Sequence, residues 1–355
     1  MKKISLLFLS ILTVGMAMSQ EKTLNISKHF MTFRVGYSIP VASSQIGSPR
    51  PEVGDTYVNK VLNTSGGTVS YSEKNSFGSR GAGLNISLGY GYMITENFSF
   101  EFDANFVKTF GTKDAFINTS DVTNKVVYKA SQNSETTMFR VTPMFGVYAN
   151  ENALIRPYAK FGILLPLAGG TSVDLSIEDN TGVAFNDLMP VIDPLTVAQT
   201  QQLASDQGIT NLTVPTKTDI KAVTSGSFSV GFMARLGAEY KFKNVANGKL
   251  KIFAEMEMQM LTVKAHKTEI KEFYSTVNDE TFKMLAENAG IKTSFGINDI
   301  PDVLKHTEYV KEVTENSNSY YNGNTNYDRN KALEDLSFRD NYNAFGFMIG
   351  LKYGF

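Results

Sequence analysis

Large apolar residues alternate with small or polar ones over eight stretches of roughly ten residues, and each stretch predicts a strand with one apolar face. The first runs Phe30–Ile39, with Met31, Phe33, Val35, Tyr37 and Ile39 on one face and Thr32, Arg34, Gly36 and Ser38 on the other. The second spans Leu84–Ile94. After the short turn Thr95-Glu96-Asn97, the third sets Phe98, Phe100, Phe102, Ala104 and Phe106 against Glu101, Asp103 and Asn105. The fourth, Phe139–Ala149, shows Phe139, Val141, Phe145 and Val147 outward and Arg140, Thr142, Gly146 and Tyr148 inward. Three more follow at Leu154–Leu165, Phe228–Phe242 and, after the turn around Asn244–Gly248, from Leu250 to Met260. The last alternates Phe345, Phe347, Ile349, Leu351, Tyr353 and Phe355 with Gly346, Met348, Gly350, Lys352 and Gly354.

The connections are ordered by length. Those after Ile94, Ala149 and Phe242 are short, whereas those at about 41–82, 111–136, 167–225 and 265–341 are long. Short and long alternate strictly, as turns and loops do on the two sides of a membrane barrel, and an even strand count puts both termini on the side of the short turns. A β-sandwich has no reason to sort its connections this way. The expected fold is therefore all-β, a closed antiparallel transmembrane barrel of eight strands in an up-and-down meander. A hidden hairpin in the last long connection would make ten, but residues 264–340 lack the required alternation. Pro143 and Pro157 fall on the apolar face of strands four and five; each removes a ladder donor and predicts a local bulge or register break.

Composition adjusts this picture in few places. The chain has 355 residues, 34 basic against 35 acidic, which gives no reason to expect nucleic acid as a partner. Its 19% charged residues suit a soluble protein, but a barrel shows only every second strand residue to lipid. Sixteen Tyr and 25 Phe supply aromatic girdles or, equally, a soluble core. The start, Met1-Lys2-Lys3 followed by an apolar run to Met18, reads as an export signal with cleavage after Ala17-Met18-Ser19. That leaves residues 20–355 as one barrel domain, exported by the general secretory route. With no cysteine anywhere, neither a lipidated N-terminus nor a disulfide framework is available.

The terminal residues Gly350, Leu351, Tyr353 and Phe355 resemble the signature that outer-membrane β-barrel proteins present to their assembly machinery. The whole pattern is similar to small eight-stranded barrels of the OmpA/OmpX type, over the strands and not over the loops. The resemblance implies an outer-membrane protein of a Gram-negative cell, with lipid and the barrel-assembly machinery as partners, both termini periplasmic and a monomeric state.

An eight-stranded barrel is just wide enough to be filled by side chains. By parity the inward charges are Arg34, Arg140, Arg156, Lys160, Arg235 and Lys352 with Glu101, Asp103, Glu239, Glu255 and Glu257. Charges in so narrow a space must pair. Two readings remain open: a structural plug of ion pairs, or an ion path whose pairs exchange partners.

The long loops hold the remaining chemistry. Thr196–Gly208 reads as a short helix, and Ser172–Ile177 with Thr216–Ala222 as extensions of strands five and six. Asn278 or Asp279 can cap a helix ending near Asn288 with Gly290 as its stop, and a second helix can follow Asp299 with Pro301 in its first turn. Gly66-Gly67 and Gly169-Gly170 read as turns. Catalytic and cofactor signatures are thin. Of three histidines, His29, His266 and His306, only His266 lies at the height of a rim-located lipid-modifying enzyme, flanked by Lys264 and Lys267. Asn322, Asn324, Asn326 and Asp328 alternate like oxygen ligands for calcium but lack an acidic closing ligand. The expected function is therefore non-enzymatic: envelope structure or binding of an extracellular ligand or partner through the loops, with a narrow solute channel as the alternative.

Overall fold

A computed structural model describes residues 28–41, 53–63, 65–77, 80–120, 122–149, 153–182, 194–206, 214–242, 245–314, 316–319, 328 and 330–355. The proposed export signal and Asn322, Asn324 and Asn326 lie outside these residues. Eight strands close into a barrel: β1 (His29–Pro40), β2 (Gly83–Met93), β3 (Phe98–Thr109), β4 (Val126–Tyr148), β5 (Ile155–Asp179), β6 (Gly231–Lys241), β7 (Leu250–Met260) and β8 (Ala344–Gly354). Each pairs antiparallel with its sequence neighbour, and β8 pairs with both β7 and β1. Closure matters physically, because an open edge would leave a row of backbone donors and acceptors with no water to serve them.

The period-2 pattern now has its cause. Outward residues are apolar and open to the surroundings, Phe145 at 64% and Ile349 at 67% exposure, while inward residues are polar and buried, Arg34 at 0%. This is a soluble protein's burial turned inside out. Such an exterior suits hydrocarbon, and it would be a contiguous apolar patch far beyond what a water-soluble monomer exposes.

Strands four and five are longer than the alternation indicated, 23 and 25 residues. At about 3.3 Å per residue they run more than about 70 Å, against the 9–11 residues that cross a bilayer. Their loop-end halves join a second sheet outside the barrel. Its order is Thr68–Phe77, Val53–Leu62, Thr112–Ser120, β4, β5, Thr216–Gly226 and Thr262–Val277. Val53–Leu62 pairs in parallel with Thr112–Ser120, and His306–Val310 with Leu333–Leu336. Much of the described part of the long connections is therefore sheet, and β6 begins at Gly231, later than the expected Phe228.

The expected register break at the two prolines does not occur, although the β4–β5 ladder drops the rungs Thr142–Leu164 and Pro143–Ile163. The rungs Phe102–Pro143 and Ala238–Pro157 keep their register with the neighbouring strands. The shift falls instead between Phe139 and Arg140, opposite Ala168 and Pro166, where Leu167 is the extra residue. Gly169-Gly170 is no turn: it lies inside β5, with Gly169 at φ +134°. The first long connection does turn at Gly66, φ +78°, with the Asn63 side chain accepting from the Ser65 and Gly67 amides at 3.0 and 2.8 Å.

The loop helices are short. α1 spans Pro194–Asp206, α2 Glu280–Asn288 and α3 Asp302–Lys305. The Asp279 side chain caps α2 by accepting from the Phe282 amide at 2.9 Å, and Gly290 ends it at φ +72°. Pro301 precedes α3 as its cap instead of entering the first turn. Phe282 of α2 and Leu304 of α3 pack on a small core of Val214, Phe273, Val277, Phe295 and Ile300, which anchors this cap to the outer sheet.

Candidate functional site

The barrel's interior is densely charged. All eleven inward charges named from parity are buried there. They form three tiers between the turn end and the loop end. Nearest the turns, Glu239 contacts Lys251 at 2.5 Å, Lys352 at 3.0 Å and Arg156 at 3.4 Å. In the middle, Arg34 from β1 reaches Glu255 at 2.8 Å and Asp103 at 2.9 Å, and pairs with Glu101, which Lys160 meets at 2.7 Å. Toward the loops, Arg235 contacts Glu257 at 2.8 Å and pairs with Asp103, while Arg140 lies 3.5 Å from Glu257 and 2.5 Å from the Gln259 amide oxygen.

Local sequence makes room for these groups. Gly89 of β2 faces inward, where a methyl group would lie 2.1 Å from an Asp103 oxygen and 2.3 Å from the Thr32 hydroxyl. Gly350 of β8 leaves space for the Phe253 ring in the same way, at 2.3 Å. Aromatic rings close the turn end. The Lys352 nitrogen sits 4.1 Å from the Phe30 ring centre and 4.4 Å from that of Tyr148, and the Tyr158 hydroxyl donates to Glu255 at 2.8 Å. At the loop end the filling turns apolar: Val107, Met138, Leu261, Val263 and Tyr342 pack together, and the Gln259 amide donates to the Tyr342 carbonyl at 3.0 Å. Lumen and loops are thus mechanically joined.

Parity placed Tyr148 inward, but sequence reasoning left Lys251 out of the charge network and missed the inward aromatics Phe30 and Phe253. Parity alone would have found Lys251, which stands opposite Lys241 on the inward row of β7. The terminal residues of the assembly signature are separated by the pleat: Leu351, Tyr353 and Phe355 are exposed on the outer wall, whereas Gly350 faces in. The Phe355 amide closes the seam by donating to the His29 carbonyl at 2.9 Å.

The second candidate is on the outer sheet. The rows Lys113–Asn133–Asp174–Lys221–Glu272 and Ala115–Ser131–Ser176–Asp219–Tyr274 cross five strands on one face. With the intervening Asp114, Gln132, Leu175, Ile220 and Phe273 they line a broad concavity of about 580 Å³. Lys221 contacts Glu272 at 2.9 Å, and the Ser176 hydroxyl donates to Asp219 at 2.6 Å. Beyond it, Lys267 and Lys271 flank Glu269 and hold its carboxyl down at about 2 through their hydrogen bonds.

His266 is exposed on Thr262–Val277. His29 sits at the turn end, its Nδ1 2.6 Å from the Tyr90 hydroxyl. Among the described residues no group of three metal-ligating side chains converges.

No protein-family model matches the sequence, and no curated protein does. Among solved structures it is similar to outer membrane protein OprG from Pseudomonas aeruginosa, at 12% identity and a TM-score of 0.34, over 93% of this chain and 97% of that one. It is also similar to the outer membrane protease OmpT from Escherichia coli, at 9% and 0.23, over 94% and 99%. A third is the Ralstonia pickettii toluene transporter TbuX, at 8% and 0.19, over 94% and 90%. Scores this low carry no argument. The strand ladder and the inverted burial carry it instead: this chain is a closed, eight-stranded antiparallel β-barrel of the outer-membrane type.

Proposed function

We infer that this protein is a plugged, non-enzymatic outer-membrane barrel, monomeric, that holds a rigid sheet outside the cell for recognition of an extracellular ligand. The termini and short turns then lie in the periplasm, after export by the secretory route and insertion by the barrel-assembly machinery. One observation carries the reading: the lumen is filled along its length by paired charges, with aromatic rings below and an apolar cluster above. A conducting pore needs a water-lined path, and breaking a buried pair to make one costs about 3–5 kcal/mol. The outer sheet supports the binding half of the reading. Strands β4 and β5 continue without a turn from the lipid-facing wall into the concave face, so the binding surface is continuous with the barrel wall.

The recognition surface is the concave face. Its rows mix Lys113 and Lys221 with Asp174, Asp219 and Glu272 around Tyr274, which suits a neutral polar polymer better than a strongly charged one. The test uses refolded protein in nanodiscs against a panel of neutral polysaccharides and uncharged peptides. The reading expects saturable binding that Lys221→Glu weakens tenfold or more while the unboiled gel band still migrates as a folded barrel. Binding left intact by that variant would contradict the assignment of the surface. Panel-wide silence together with solute flux through proteoliposomes would overturn the function.

A further inference from the structure

Among the described residues, the longest interruption of the barrel wall coincides with a cavity. Between β5 and the strand that follows, the ladder stops at Leu164–Gly231 and resumes at Thr171–Thr224. The register on both sides is the same, so six residues on each strand, 165–170 and 225–230, face each other without a rung. The cause is local. Pro166 has no N–H to donate, Leu167 is the bulged residue against β4, and Gly169 adopts φ +134°. Across the gap the Ser227 amide turns away to the Lys264 carbonyl at 2.8 Å, and the Ser229 hydroxyl donates to the Ser227 carbonyl at 3.1 Å. The unpaired backbone is therefore served in part from within its own segment.

The opening leads to a cavity of about 290 Å³, bounded by both unpaired segments. That is roughly ten waters' worth of space at about 30 Å³ each, room for one or two fused rings and too little for a phospholipid. Its lips are apolar and outward: Leu167 is 58% exposed and Phe228 75%. With Val230 they continue the lipid-facing belt to the edge of the gap. Inside, Met138 and Val263 form apolar walls. The deep end is polar. Tyr342 and Thr171 share a hydrogen bond at 3.1 Å, Thr171 and Thr136 another at 2.8 Å, and Asp340 sits beside them, paired with Arg80 at 3.0 Å.

The geometry points to a lateral binding site for a small, neutral, ring-containing amphiphile that enters from the outer leaflet. Its apolar body lies between Met138 and Val263, and its hydroxyl hydrogen-bonds to Tyr342, Thr171 and Asp340. The site is blind: Met138, Leu261 and Tyr342 close it toward the lumen, so it binds and does not conduct. It is independent of what the concave face recognises, since the two share no residue.

The natural absence of cysteine permits a clean test. Ala168 and Ser227 are the positions that would face each other if the ladder continued, so Ala168→Cys with Ser227→Cys can staple the gap. The probe is 2-naphthol, whose fluorescence is unobscured in a chain without tryptophan, titrated into nanodiscs with empty nanodiscs subtracted. Saturable binding is expected to fall tenfold or more on oxidation and to return on reduction. A second variant, Ala168→Phe, fills the exposed lip without touching the core and should weaken binding by the same order, also if the staple fails to close. Absence of a saturable component in the unmodified protein, or binding unchanged in Ala168→Phe with the barrel folded, would overturn the site.

Discussion

Arg34 and Glu255 stand 221 positions apart in the chain, yet Arg34 Nε lies 2.8 Å from Glu255 Oε1 with both side chains at 0% exposure. One comes from the first strand and the other from the seventh, so the bond exists only once the barrel has closed. Arg34 also serves Glu101 and Asp103, which makes it the hub of the middle tier.

Replacing that hub leaves Glu101, Asp103 and Glu255 with only Lys160 and Arg235 to balance them in a space with little water. Arg34→Met is expected to cost about 3–5 kcal/mol, the usual penalty for a buried charge stripped of its partner. The temperature at which the fast, folded gel band converts to the slow one measures this. The double variant Arg34→Met with Glu255→Gln should recover part of the loss; an Arg34→Met barrel as heat-stable as the parent would contradict the hub.

Gly89→Ala tests the fit of the tier without removing a charge. Its methyl group would intrude to 2.1 Å on the Asp103 Oδ1 that Arg34 holds. Overpacking of this kind costs about 1–3 kcal/mol. The same substitution at Gly66, where φ is +78° but nothing lies within 4 Å, strains only the turn and should leave the barrel's melting point unmoved.

The outward face makes the opposite demand. Ile349→Arg alters a residue 67% exposed, which on a water-soluble protein would shift stability by at most about 0.5 kcal/mol. In a bilayer, the same change near the midplane costs about 2–4 kcal/mol. Equilibrium unfolding in lipid vesicles distinguishes the two, and a loss below about 0.5 kcal/mol would mean that this face does not meet hydrocarbon.

At the lateral site, burial raises the Asp340 carboxyl above its ordinary value, and Arg80 at 3.0 Å offsets part of that rise. A carboxyl raised by folding binds protons more tightly in the folded state. Its contribution to stability is therefore best at pH below its unfolded value of about 3.9. That contribution falls as pH climbs through the folded one. Arg80→Met should push the midpoint higher still. Carboxyl NMR of labelled aspartate across a pH series reads this directly; a midpoint that dropped in the variant would contradict the pairing.

How much of this was legible depended on which environment each residue meets. Alternation in β1 to β3 and β6 to β8 is sharp because one face touches lipid and the other the packed lumen, so parity alone placed Arg34, Glu101 and Lys352. The loop-end half of β4, Val126–Met138, was not readable as strand. Residues Lys129, Ser131, Asn133 and Glu135 alternate with Ala130, Gln132, Ser134 and Thr136, which are small or polar even where they are buried, so no large apolar face marks the strand. Asp279 and Gly290 marked α2 correctly because a cap is a local device. The gap in the wall was hidden for the opposite reason: Pro166 and Gly169-Gly170 signal a turn, and only the partner strand shows that the chain runs straight on, unpaired.

The central claim is that the closed barrel is plugged. Single-channel recording of the refolded, signal-free protein in a planar bilayer tests it most directly, on samples whose unboiled band confirms folding. The structure predicts silence from the unmodified protein. Stable, voltage-insensitive conductance steps from properly folded protein would show an open lumen and contradict the account.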